Sequence, residues 1–195
     1  FFTFHEKKRP FVILKWAQTL DGFIDIERNN AQTAQPTWIT NNFARRAVHQ
    51  LRAHEQAIMV GTRTAISDNP SLTVRDWAGQ NPLRIVIDRL DVLPQNLHLY
   101  DGTCRTLVVT EKHDHRQLPV DYLTLPFDNS LINAVLAHLH KNNIQSLVVE
   151  GGQQLLQSFI DQNIWDEIHL YVGSKKCGQG VKAPIFTAES HKSFQ

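Results

Sequence analysis

Apolar and polar positions fall along the chain in short blocks whose period changes from strand-like to helical and back. Residues 11–17 (FVILKWA) are an apolar run broken by one lysine, the pattern of a strand covered on both faces. After the Asp21-Gly22 turn signal, residues 23–26 read as a second short strand and the polar stretch 27–37 as a loop. Thr40 is placed to cap a helix over 41–54, with Phe43, Ala47, Val48 and Leu51 on one face. Residues 57–60 read as a short strand closed by Gly61. A single helical turn over 62–66 is stopped by Asp68-Asn69-Pro70. A loop at 77–82 leads to β-rich blocks at 83–87, 106–109 and 120–125. Helical spacing returns at 131–140 and 153–160, with strands at 146–149 and 167–172. This alternation predicts an α/β fold with a mostly parallel central sheet. Residues 175–195 carry Gly and Pro punctuation and no further apolar strand.

Composition sets limits on this picture. A chain of 195 residues suits one domain, or one with a small appendage. Hydrophobic content of 42% with 20% charged residues is ordinary for a soluble globular protein. A formal net charge of +1 gives no electrostatic case for nucleic acid or a membrane surface as partner. No apolar run approaches the roughly 20 residues that span a bilayer, and residues 1–11 lack the apolar core of a signal peptide. Cys104 and Cys177, far apart, make neither a disulfide scaffold nor a metal knuckle, so a reducing cytoplasm is the expected compartment.

Candidate chemistry gathers where strands end. Glu150 closes an apolar run, and Gly151-Gly152 precede a helical pattern. Adjacent glycines permit a sharp turn and close approach, and a bare helix start suits a phosphate. Alone, the junction reads equally as an anion cradle beside a proton-handling group and as an ordinary turn with a solvated glutamate. Lys15 interrupts an apolar strand, where a lysine is costly unless paired or functional. On neighbouring strands, Lys15 and Glu150 would stabilise each other's charge and could act as acid and base; the alternative is a lysine reaching solvent from an edge strand. Gly61-Thr62-Arg63-Thr64 could meet a diphosphate through backbone N–H groups, or simply turn the chain. Arg52 and Arg75, the latter ending the rigid stretch 68–75, could grip a phosphate monoester through paired hydrogen bonds, or each form a surface salt bridge. His113-Asp114-His115 and His138/His140 lack metal-site spacing, so no metal is expected. Gly-x-Ser-x-Gly, the P-loop lysine motif and Gly-x-Gly-x-x-Gly are absent.

In chain order, residues 15–22 (KWAQTLDG), Trp38-Ile39-Thr40, Leu51-Arg52-Ala53, 61–64, 68–75, 84–88 and Val149-Glu150-Gly151-Gly152 form a set. That ordered set resembles the reductase domain of the bifunctional deaminase/reductase of riboflavin biosynthesis, over nearly the whole chain. The resemblance implies a dihydrofolate-reductase-like three-layer fold. It also implies NADPH-dependent reduction of the ribosyl group of 5-amino-6-(5-phosphoribosylamino)uracil to the ribitylamino product. A hydride would pass to the sugar C1, reached as an open-chain imine. Carried over by position, Ala17, Trp38, Thr64, Asp68 and the stretch Gly151, Gly152, Gln153, Gln154, Leu155 to Ser158 fall at cofactor positions. Arg52, Leu72, Arg75 and Glu150 fall at substrate positions, and Lys15 at a lysine important for turnover. Lys15 and Glu150 are expected to assist ring opening and proton delivery, while position and cofactor do the rest. Two positions depart from the pattern. Arg89 replaces a small hydroxyl residue, and would pair with the cofactor 2′-phosphate or point to solvent. Pro36 stands where a serine often meets substrate.

The same resemblance casts residues 1–10 as the linker from an absent N-terminal zinc deaminase domain, and 11–195 as the reductase domain. The family's closing C-terminal β-hairpin is expected to be missing. An unpaired sheet edge invites association, and loss of the hairpin is expected to cost stability or dimer formation; the expected oligomer is a homodimer. The expected partners are the phosphoribosylaminopyrimidine substrate and a deaminase domain on the same polypeptide, with no nucleic acid and no membrane. Two rivals stand: a relative that reduces the diaminopyrimidine before deamination, and a non-catalytic nucleotide-binding domain.

Overall fold

Apolar β-branched runs become the buried strands, and the segments with helical spacing cover them. The structure, a computed structural model, describes residues 2–26 and 39–186. A short helix α1 (Phe2–Glu6) precedes β1 (Phe11–Gln18), β2 (Phe23–Asp25), α2 (Asn42–His54), β3 (Ala57–Val60), α3 (Thr62–Asp68) and β4 (Leu83–Ile87). Then come β5 (Thr106–Thr110), β6 (Asp121–Thr124), α4 (Leu131–Lys141), β7 (Ser146–Gly151), α5 (Gln153–Asp161), β8 (Glu167–Val172) and β9 (Val181–Lys182).

Seven strands form one sheet in the order β6-β5-β4-β3-β7-β1-β8, and every neighbouring pair is parallel. One face packs Val12, Leu14, Trp16, Met59 and Val149 against Val135, Leu136 and Leu139 of α4 and Leu156 and Phe159 of α5. The other packs Ile13, Ile58, Val86 and Val148 against Ala65 of α3, the loop residues Leu72 and Leu93, and Leu99 of a 3-10 turn (His98–Tyr100). Two-sided burial explains why the central strands are apolar without alternation: all four residues of β3 and all five of β5 are buried. The result is the α/β fold with a parallel central sheet expected from the strand–helix alternation, in the three layers that the resemblance implied.

Several local expectations need correction. The α2 cap is Asn41, whose side chain accepts from the Ala44 N–H at 3.0 Å, not Thr40. Phe43, expected on the buried face, is 82% exposed, whereas His49 is 3% exposed. Burial of His49 is tolerable because its ring has polar partners, described below. Residues 2–6 are helical, with the Phe4 ring 4.4 Å from that of His140. Arg9 pairs with Asp166, which also accepts the Val12 N–H at 2.9 Å, so the entry to β1 is tied to the start of β8. β9 pairs antiparallel with β2, a contact that the sequence pattern of 175–195 did not suggest. Among the described residues, β8 is paired on one edge only. The expected loop 27–37, Pro36 and Trp38 lie outside the described residues.

Candidate active site

The carboxyl ends of β1, β3, β4 and β7 open on one cavity of about 1200 Å³, the end at which parallel sheets place their ligands. Its walls include Lys15, Ala17, Arg52, Thr64, Asp68, Leu72, Arg75, Glu150, Gly151, Gly152, Gln153, Gln154, Leu155 and Ser158. Residues scattered over more than 140 positions of the chain are thus brought to one surface.

Glu150 owes its place to a register shift. β3 pairs Met59 with Val149 and then Val60 with Gly151, leaving Glu150 as the extra residue of a bulge. Bulges re-aim side chains and cluster beside functional sites. The Glu150 carboxylate accepts two bonds from Arg52 on α2, Nε to Oε1 at 2.9 Å and Nη2 to Oε2 at 2.6 Å. Both side chains are nearly buried, at 6% and 11% exposure. Burial alone would raise the Glu150 pKa, but Arg52 and then Lys15 outweigh it and hold the group at about 2. Lys15 shows the opposite balance: burial lowers its pKa, and Glu150 opposes that more than Arg52 assists it. The Tyr171 ring of β8 lies 5.7 Å from the Lys15 ammonium, and burial followed by the charge of Glu150 raises the Tyr171 hydroxyl pKa. The sequence paired Lys15 with Glu150 directly; the structure gives the carboxylate's hydrogen bonds to Arg52 and leaves Lys15 as a charged neighbour.

At the glycine junction, Gly152 has φ +83° and caps α5 without a side-chain bond, so the first N–H groups of the helix face the cavity uncapped. A Cβ on Gly151 would lie 3.0 Å from Thr64 Cγ2. The Gly61 N–H donates to the Gly151 carbonyl at 3.3 Å, and the Thr62 hydroxyl to the Ile87 carbonyl at 2.5 Å. Gly151 is thus packed against the Thr64 side chain, and the uncapped start of α5 beside it is an arrangement suited to an anion. Ile87, Phe127 and Leu131 wall the cavity toward β4.

The other end gathers three arginines, two of them paired: Arg45 with Asp76 at 2.6 Å and Arg52 with Glu150. Arg45, His49 and Arg52 project from α2 at helical spacing, facing Arg75 from the loop after α3. Burial first, then Arg52 and Arg45, pushes the Arg75 pKa down, with Asp76 opposing. Leu72 keeps its side chain in the core (2% exposed) with φ +53°, an unfavourable conformation for a branched residue. The fully buried Arg84 braces this loop, donating to the Ser71 carbonyl at 3.3 Å and the His98 carbonyl at 2.9 Å.

Arg89 is not a wall of the cavity. Its Nε donates to Glu111 at 2.8 Å, with the guanidinium 5.9 Å from the Phe127 ring. Arg45, His49, Tyr171 and Phe127 were not singled out from the sequence. For the first two a signal existed, since they share a helix face with Arg52 at spacings of seven and three residues. Tyr171 and Phe127 carry no such signal. Among the described residues, no group of three or more His, Cys, Asp or Glu could hold a metal ion.

Residues 10–194 match the family described as the RibD C-terminal domain. The riboflavin biosynthesis protein RibD of Aquifex aeolicus is 34% identical over 188 residues, covering 93% of this chain and 51% of that protein. A 2,5-diamino-6-ribosylamino-4(3H)-pyrimidinone 5′-phosphate reductase of Archaeoglobus fulgidus is 33% identical, covering 85% of this chain and 80% of the relative. The chain also resembles a solved Thermotoga maritima diaminohydroxyphosphoribosylaminopyrimidine deaminase/5-amino-6-(5-phosphoribosylamino)uracil reductase. There the TM-score is 0.82 at 32% identity, covering all of this chain and 54% of that one. The chain spans about half the length of the RibD proteins it matches.

Proposed function

The chain belongs to the RibD C-terminal domain family, and from that premise we propose that it reduces the ribosyl group of 5-amino-6-(5-phosphoribosylamino)uracil to the ribitylamino product, using NADPH. One observation carries this reading: a single cavity joins the uncapped α5 start at Gly151-Gly152 to the cations Arg52 and Arg75, with Lys15 on the same wall. A dinucleotide and a phosphorylated sugar each find an anion site, and the two sites meet at a proton donor.

When bound, NADPH supplies the hydride that adds to the sugar C1. The chain's own groups bind, orient and move protons. Gly151, Gly152 and the N–H groups of residues 153–155 would hold the diphosphate, while Arg75, with Arg45, would take the substrate phosphate. Lys15 holds a proton on Nζ and delivers it to the ring oxygen as the C1–O bond opens to the imine. Glu150 does not share that delivery. A carboxylate held at about 2 stays ionised near neutrality, so its role is to orient Arg52 and keep Lys15 charged beside the sugar. Arg89 would reach the 2′-phosphate only by leaving Glu111.

The test is NADPH oxidation followed with the deaminated pyrimidine and, separately, with its diaminopyrimidine precursor. Faster turnover of the deaminated compound is expected. The A. fulgidus relative, covered over 80% of its length, supports the opposite preference as the second reading. Binding of NADPH without oxidation on either substrate would leave a non-catalytic nucleotide-binding domain. We place the enzyme in the cytoplasm as a homodimer, with a deaminase domain carried on the same polypeptide.

A further inference from the structure

We propose that His49 is a positioning residue for the phosphate grip, its Nδ1 holding the Arg75 backbone so that the Arg75 guanidinium faces the cavity. The inference rests on the reading that the cationic end of the cavity takes the substrate phosphate. His49 lies on α2 with 3% exposure and lines that end. The Arg75 backbone N–H donates to His49 Nδ1 at 3.0 Å. With Nδ1 committed as acceptor, the proton of the neutral ring belongs on Nε2, which faces Asp76 Oδ2 at 3.5 Å.

The loop ahead of Arg75 is pinned one residue at a time. Arg52 Nη1 donates to the Thr73 carbonyl at 3.3 Å, and the Val74 N–H donates to Asn81 Oδ1 at 2.7 Å. His49 supplies the third pin, on the residue that carries the grip. Around the ring stand Arg45 and Arg52 from its own helix, Arg75 and Asp76 from the loop, and Glu150 from β7. Burial, then Arg52, lowers the His49 pKa, so the neutral acceptor form persists across the physiological range. A histidine placed there only to fill space would have no need of a defined tautomer. A cationic one would surrender the bond to Arg75 and crowd three arginines further.

The test separates KM from kcat and uses paired amide variants. H49A should raise KM for the phosphorylated substrate about tenfold, equivalent to ~1.4 kcal/mol, with kcat near that of the wild type. H49N keeps an acceptor close to the Nδ1 position and should restore KM. H49Q reaches the Nε2 position, leaves the Arg75 N–H without an acceptor, and should remain impaired. An unchanged KM in H49A, or equal impairment in H49N and H49Q, overturns the proposal. Should H49A fail to fold, the comparison of H49N with H49Q decides. Should the wild type turn over no pyrimidine, the functional reading fails. Calorimetry with ribose 5-phosphate on the wild type, H49N and H49Q still decides the role of His49. Binding retained in H49N and weakened in H49Q supports it; equal affinities, or none in the wild type, overturn it.

Discussion

Glu150 sits among Arg52, Lys15 and His49 in a nearly buried position, and its charge is inseparable from theirs. Glu150→Gln leaves the Arg52 guanidinium buried without its counter-charge. That should destabilise the fold by about 3 kcal/mol, read from urea melts, while turnover falls. The acid response follows in sign. The Glu150 pKa is depressed on folding from 4.5 to about 2, so its contribution is complete above the unfolded value and disappears as pH falls through that window. Melts between those two pH values should show a steeper loss of stability in the wild type than in Glu150→Gln. Lys15 gives the complementary prediction. Its pKa is lowered by burial, so an enzyme that needs the ammonium should lose turnover on the alkaline side with a midpoint below 10.5, the ordinary lysine value. Lys15→Met should reduce kcat about a hundredfold or more with little change in NADPH affinity; unchanged kcat would remove Lys15 from proton delivery.

The elements hold these groups through features of different legibility. The β-rich runs and the α4 and α5 patterns were readable because two-sided burial makes strands uniformly apolar and one-sided burial gives helices a stripe. The stripe of α2 was misread because it packs against a polar cavity: His49 and Arg52 turn inward and Phe43 turns outward. The cap of that helix is Asn41, so Asn41→Ala should lower stability by about 1 kcal/mol with no change in KM, as measured by thermal melting and steady-state kinetics. The start of α5 depends on backbone freedom. Gly152, at φ +83° and ψ 110°, admits an alanine only at a strain of roughly 1–3 kcal/mol. Gly152→Ala should therefore melt earlier and weaken NADPH binding more than ribose 5-phosphate binding. Equal weakening of both ligands would mean that the junction does not face the dinucleotide.

At the scale of the whole molecule, the fold is dihydrofolate-reductase-like, a parallel sheet with its cavity across the carboxyl ends of four strands. No helix among the described residues is long and apolar enough to cross a membrane. Arg45, Arg52 and Arg75 gather at one end of the cavity, the first two paired with Asp76 and Glu150, which leaves a local excess of positive charge. Salt screens such a local field over about 10 Å at 0.1 M. KM for the phosphorylated substrate should rise with ionic strength, while KM for a dephosphorylated analogue stays flat. A parallel rise for both would place the phosphate elsewhere.

The sequence by itself determined the α/β class, most element boundaries and, through motifs in fixed order, the family; each depends on local pattern or on order along the chain. It also supplied Lys15, Arg52, Arg75 and Glu150 as candidates, because charged residues interrupting apolar runs are conspicuous. Tertiary structure alone decided how those charges pair. Arg52 reaches Glu150 because the fold brings α2 to the carboxyl end of β7 and a bulge re-aims the carboxylate. His49 meets Arg75 because a loop between α3 and β4 folds back onto α2. Such pairings depend on distances between segments remote in sequence, set by strand order and register, which the period of a chain does not encode.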